Sequence, residues 1–176
     1  PFTAYSDPAY WADKLQMSAY GRQNGPTGIA ADKNQLVYIY VDSNVPSGAT
    51  LTVETTSTTS VWGTTSKTLT RGLNMVISPE DNTQFYIIYK SFNGSDISKY
   101  TPINIHIEGG RVNGYFDCTK HSDADWVEMQ NDKLFTAPVI DVLGQYVHWH
   151  MNRAAVIRNT SKAVKPVMDI WDPTVA

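Results

Sequence analysis

The stretch INIHIEGGRVNGYF, residues 103–116, decides the fold class. Ile103, Ile105 and Ile107 alternate with Asn104, His106 and Glu108, the period of two that sends successive side chains to opposite faces of a strand. Gly109 and Gly110 follow. Two adjacent glycines permit the positive φ angles of a tight turn, so Arg111 to Phe116 is expected to return as the partner strand of a hairpin.

Working outward, Leu36–Val41 (LVYIYV) and Phe85–Tyr89 (FYIIY) are short, nearly continuous apolar runs. Such runs suit strands buried on both sides or in a sandwich core. Between them Leu51–Glu54, Thr65–Thr70 and Leu73–Ser78 are separated by turn signals at Pro46, Ser47 and Gly48, at Gly63 and at Gly72. Many short strands so spaced imply a mainly β chain, an antiparallel β-sandwich or jelly roll. A second hairpin is expected between Phe135–Val142 and Gln145–Met151 across Gly144.

Helical signals punctuate this pattern. Asp7 before Pro8 reads as an N-cap with proline at the first helical position; Trp11, Leu15 and Ala19 then share a face and Gly21 closes the helix. Ser122 with Asp125 forms a capping-box signature ahead of Trp126, Met129, Gln130 and Lys133, which gives one inserted helix. After Met151 the period turns helical, with Asn152 as a cap before Arg153–Arg158 and Pro166 opening a segment that includes Val167, Ile170 and Trp171. Asp172 and Pro173 repeat the cap-plus-proline signal. They are expected to open one more helix, which would make the chain a piece of a longer protein.

Composition bounds the function. The 176 residues allow one domain or one domain plus part of another. Fourteen basic against seventeen acidic residues give a net charge of −3, which argues against a nucleic-acid partner. No apolar stretch approaches the roughly 20 residues that cross a bilayer as a helix. Cys118 is the single cysteine, so an intrachain disulfide and four-thiolate zinc modules are excluded. Between Thr50 and Thr70, thirteen of twenty-one residues are Ser or Thr. That hydroxyl-rich, charge-poor stretch points to an extracytoplasmic protein.

The chemistry-bearing residues are sparse. The four histidines are His106, His121, His148 and His150, and none forms the His-Glu-x-x-His spacing that sets two imidazoles on one helix face around zinc. Nucleophile-elbow, phosphate-loop and dinucleotide motifs are missing. His148 and His150, with Tyr146, project from one face of a strand and could hold a metal with a third ligand; the plainer reading is a polar solvent face. His121, Asp123 and Asp125 lack the glycine and terminal glutamate of a calcium loop. Cys118 reads as a buried or edge thiol. Trp62, Tyr100 and Tyr115 could stack on sugar rings, against the plainer reading as aromatic packing.

Beyond these residues, PTGI (26–29), INIHIEGGRVNGYFD (103–117), HSDADW (121–126) and APVIDVLGQYVHWHM (137–151) resemble the upstream part of enhancin-like zinc metallopeptidases. The opening YSDPAYWADKLQMSAYG is similar to the lead-in of exported members from gut Bacteroidetes. The resemblance implies a β-sandwich subdomain ahead of a helical subdomain that carries the zinc motif, with mucin-type glycoproteins as substrates. It implies a lead-in helix over 1–22, a β-sandwich subdomain over 23–151 and the start of the helical subdomain over 152–176. No catalytic or metal residue carries over, because the motif is absent. The chain would therefore hold no cofactor, with zinc in the full-length parent, and its partners would be the downstream catalytic subdomain and a mucin glycoprotein or glycan. Val147, Trp149 and Met151 are then expected to pack in the core or between subdomains, and His148 and His150 to form a polar wall of the substrate groove. Trp62, Tyr115, His148 and His150 are the candidate ligand-binding residues. The reading from another class is a free-standing carbohydrate-binding β-sandwich, with Trp62 and Tyr115 as its platform.

Overall fold

Two-residue alternation and short helical caps resolve into the expected class in a computed structural model of the chain, which describes residues 1–16, 25–57, 60–91 and 96–175, without the side chains of residues 11, 57, 60–64 and 175. The elements run β1 (Tyr5–Ser6), α1 (Pro8–Leu15), β2 (Pro26–Ala31), β3 (Leu36–Val41), β4 (Ala49–Ser57), β5 (Ser60–Thr68), β6 (Gly72–Ile77), β7 (Thr83–Ser91) and β8 (Ile105–Glu108). They continue with β9 (Arg111–Val112), β10 (Phe116–Asp117), α2 (Asp123–Asn131), β11 (Val139–Leu143), β12 (His148–Asn152), α3 (Arg153–Asn159) and α4 (Lys165–Val175). The chain is mainly β, its long ladders are antiparallel, and it groups into two units: 1–26 with 31–110, and 27–30 with 111–176.

The first unit is sandwich-like, with strands ordered β5-β4-β7 in one sheet and β6-β3-β8 in the other. Val37, Ile39 and Val41 from β3, Leu51 and Val53 from β4, and Phe85, Ile87 and Tyr89 from β7 are all buried. β7 is buried along nearly its whole length, as the run FYIIY led us to expect. β3 takes the sandwich-core alternative and not burial on both sides. Tyr38 is 40% and Tyr40 52% exposed, so LVYIYV lines the core with one face only. β5 runs through Gly63, where a turn was expected.

Short polar anchors fix the unit's ends. The Asp7 side chain accepts from the Ala9 N–H at 3.0 Å and pairs with Lys90 at 2.9 Å, which caps α1 against β7. The α1 helix stops at Leu15, with Gln16 in the left-handed region as its C-cap; Ala19 and Gly21 lie outside the described residues. The buried Asn74 donates to the carbonyls of Ile39, Thr70 and Gly72, holding the turn into β6 against β3.

The double glycine behaves locally as expected and globally not. Gly109 and Gly110 have φ of +89° and +70°, yet the two arms do not pair. β8 lies antiparallel on β3, with Tyr40 opposite His106 and Tyr38 opposite Glu108. β9 lies antiparallel on β2, with Ile29 opposite Val112. Each arm finds a different edge to complete its backbone hydrogen bonds. The return strand is also cut short at Asn113, whose side chain accepts from the Ala137 N–H at 2.6 Å and donates to the Val139 carbonyl at 3.4 Å.

In the second unit the sheet order is β10-β11-β12, and the β11–β12 hairpin pairs Val139 with Asn152 through Leu143 with His148, as expected. Trp126, fully buried on α2, centres the core. Its ring meets Phe116 at 5.1 Å and Phe135 at 5.4 Å, and its indole N–H donates to the Thr160 carbonyl at 2.6 Å. Val156 of α3 and Val164 and Met168 complete the cluster. The Ser122–Asp125 capping box starts α2 and Asn152 caps α3, both as read from sequence. Asp172 and Pro173 do not open a new helix. Both lie inside α4, and the Asp172 side chain has another partner, described below.

Candidate functional site

The residues that carry chemistry converge on β11 and β12. Antiparallel register sets Asp141 directly opposite His150, and Leu143 opposite His148, so Asp141 faces one imidazole across the ladder and the other on the diagonal. Both rings reach the same oxygen. His148 Nε2 is 2.8 Å and His150 Nδ1 3.0 Å from Asp141 Oδ1. A carboxylate only accepts hydrogen bonds, so each ring presents its N–H to it.

This group is enclosed: the Asp141 side chain is 4% exposed, His150 7% and His148 16%. Burial alone pushes the Asp141 carboxyl up, but the two imidazole hydrogen bonds and their charge outweigh it and hold the group below the ordinary carboxylate range. The polar solvent face read for His148 and His150 is corrected to an enclosed clasp between two strands. Sequence reading missed Asp141 because it sits in the apolar run VIDVL; a lone acid amid buried positions was the available signal. On the alternate face Val147 and Trp149 pack against the core cluster as expected, whereas Met151 is 44% exposed.

A second carboxylate ties the turn of this hairpin. Asp172 of α4 accepts from the backbone N–H groups of Gln145 (2.8 Å), Tyr146 (2.9 Å) and Val147 (3.0 Å). Burial raises its pKa, and these three donors more than reverse the effect. A Cβ at Gly144 would collide with the Asp172 carboxylate. Gly144 is thus required for a close approach, in addition to the turn read from sequence. Beside it Trp149 and Trp171 meet edge to face at 6.3 Å.

The other candidates are dispersed. Tyr115 is half-buried in the link between β9 and β10. Trp62 falls on β5, and its side chain lies outside the described residues. Tyr100 is buried, donating to the Gly48 carbonyl at 2.9 Å. His121 accepts from the Asp117 N–H at 3.0 Å and tilts against Phe116. The Asp125 carboxylate is engaged by the Ser122 N–H and hydroxyl, which is helix capping rather than calcium chemistry. Burial pushes the Cys118 thiol up to about 11, and a thiol so protonated is a poor nucleophile. Among the described residues, no group of three or more His, Cys, Asp or Glu side chains is arranged to hold a metal ion.

The other chemistry-bearing surface belongs to the first unit and was not read from sequence. The outer face of the sheet β6-β3-β8 exposes Tyr38, Tyr40, Leu73 (61%), Met75 (52%) and Ile77 (61%). At its β8 edge His106 and Glu108 bond to each other at 2.9 Å. Alternation in GLNMVI and LVYIYV contained this face, but LVYIYV is apolar on both sides and GLNMVI buries its polar Asn74, so the pattern did not say which side was covered.

No protein-family model matches the sequence. No curated protein matches it by sequence. Solved structures do match its fold. A metallopeptidase from Bacteroides thetaiotaomicron superposes over 98% of this chain with a TM-score of 0.83 at 24% identity, and the match spans 29% of that protein. A metallopeptidase solved in complex with Tn antigen gives 0.81 at 23%, over 98% of this chain and 32% of that one. The M60 catalytic domain of ZmpC from Clostridium perfringens, in complex with the sialyl T antigen, gives 0.72 at 17%, over 98% of this chain and 38% of that one. The fold of this chain is one that metallopeptidases carry over about a third of their length.

Proposed function

We propose that this chain is a noncatalytic β-rich part of an enhancin-like zinc metallopeptidase that acts on mucin-type glycoproteins. The observation that carries the reading is the TM-score of 0.83 over 98% of the chain against 29% of a metallopeptidase. Two of the matched proteins were solved with glycan antigens, which supports a glycosylated substrate. The chain has no His-Glu-x-x-His sequence, so in this reading the zinc, the water it acidifies and the base that takes the proton belong to another part of the polypeptide.

The role of this part is then to pack against the catalytic subdomain and shape its substrate groove. The helical stretch from Asn152 onward leads toward that subdomain. The hydroxyl-rich strands favour an extracytoplasmic location. No described helix is long and apolar enough to cross a membrane.

The test is to express the natural polypeptide that contains this chain and to assay cleavage of a mucin. Chelator-sensitive cleavage, abolished by substitution of a zinc-motif glutamate outside this chain, is the expected result. A natural polypeptide with no zinc motif, or one whose cleavage survives metal removal, would refute the proposal.

A further inference from the structure

We propose that the outer face of the sheet β6-β3-β8 is a binding site for neutral sugars, centred on Tyr38 and Tyr40. The site does not depend on the peptidase reading and lies wholly within the first unit. A depression of about 390 Å³ is lined by Tyr38, Tyr40, Leu73, His106 and Glu108. That falls within the roughly 300–1,000 Å³ of small-ligand sites, which pair an apolar floor with a few placed polar groups.

The register explains the arrangement. Tyr38 has Met75 on one side and Glu108 on the other; Tyr40 has Leu73 on one side and His106 on the other. Each tyrosine therefore stands between an aliphatic wall and a polar group. Two positions along a strand separate the tyrosines by about 7 Å, room for successive sugar rings. A pyranose presents an apolar C–H face to an aromatic ring and a belt of hydroxyls at its edge. The hydroxyls can donate to the Glu108 carboxylate and bond the His106 imidazole.

One feature selects this ligand over a protein partner, and a second selects neutral sugars over anionic ones. The His106 and Glu108 side chains are 70% and 72% exposed, and a dry protein interface would strip water from the pair without replacing its hydrogen bonds. Sugar hydroxyls replace those bonds. The carboxylate also opposes anionic sugars, which makes neutral glycans the better match.

The test measures retention of the chain on an array of neutral galactosyl, glucosyl and N-acetylhexosaminyl oligosaccharides beside their sialylated counterparts, followed by calorimetry on the best neutral binder. Tyr38→Ser and Tyr40→Ser should each weaken binding by about tenfold or more, one step on the affinity scale. Glu108→Gln, which preserves the apolar area, should weaken it about fivefold, the worth of one hydrogen bond. Circular dichroism and thermal midpoints should be unchanged in all three, and sialylated forms should bind more weakly. Absence of binding to every neutral glycan at millimolar concentration would overturn the proposal, as would binding unaffected by the three substitutions. Concentration-dependent dimerisation abolished by Tyr40→Ser would assign the face to a second copy and overturn it equally.

Discussion

β3 and β12 are both short strands, one nearly all apolar and one alternating with histidines, and the fold turns them in opposite senses from the intuitive one. On β3 two tyrosines face outward from a sandwich, while on β12 two histidines face a buried aspartate. The difference lies in the neighbouring strands. β3 is flanked by β6 and β8, whose outward residues include Leu73, Met75 and Glu108, and none of them covers the tyrosines. β12 is flanked by β11, which supplies a carboxylate at the register position that both imidazoles reach. Polarity of one strand does not fix which face is inside; the cross-strand partner does.

The sharpest way to break this contrast is to remove Asp141. Asp141→Ala should leave two enclosed imidazoles without their acceptor and destabilise the chain by about 2–4 kcal/mol in chemical denaturation. A loss below that of an ordinary surface substitution would mean that the clasp is not structural. Asp172→Ala should cost less, about 1–3 kcal/mol, because three backbone N–H groups lose one acceptor but remain close to solvent. Gly144→Ala should reproduce much of that loss by displacing the same carboxylate, and the double variant should be less than additive in a thermodynamic cycle.

Acid should destabilise the second unit through its held-down carboxylates, and Asp7, Asp42 and Asp96 of the first unit are held low as well. A carboxyl whose folded pKa lies below its unfolded value contributes stability that is present above about pH 4 and is lost as pH falls through the folded pKa. Asp141, Asp172 and Asp117 are all held low. The thermal midpoint should therefore drop on acidification below about pH 4, and the drop should be smaller in Asp141→Ala. The smallest effect is expected on the other strand: Tyr40→Ser should change stability by less than about 0.5 kcal/mol, as for exposed positions generally. A large loss there would show that the face is covered.

The legible parts were those where local chemistry is sufficient. The caps at Asp7, Ser122 and Asn152 are decided by side chains bonding within three residues of themselves, and the β11–β12 hairpin by a short connection. The illegible parts depended on distant partners. Gly109 and Gly110 turn the chain as glycines can, yet β8 pairs with a strand 64–70 residues earlier. Asp172 looks like a helix cap beside Pro173 and instead binds a turn 25–27 residues away. Fold class was carried by many weak signals in agreement; the candidate sites rested on single residues whose partners, Asp141 and Glu108, lie on other strands.

Calorimetric titration of the chain with zinc tests most directly the claim that its histidine-rich strand is structural and that the catalytic metal of the proposed peptidase is held elsewhere. The account predicts no stoichiometric uptake near neutral pH, with His148→Gln and the parent chain indistinguishable. Tight binding of one zinc ion, abolished by His148→Gln or His150→Gln, would contradict it.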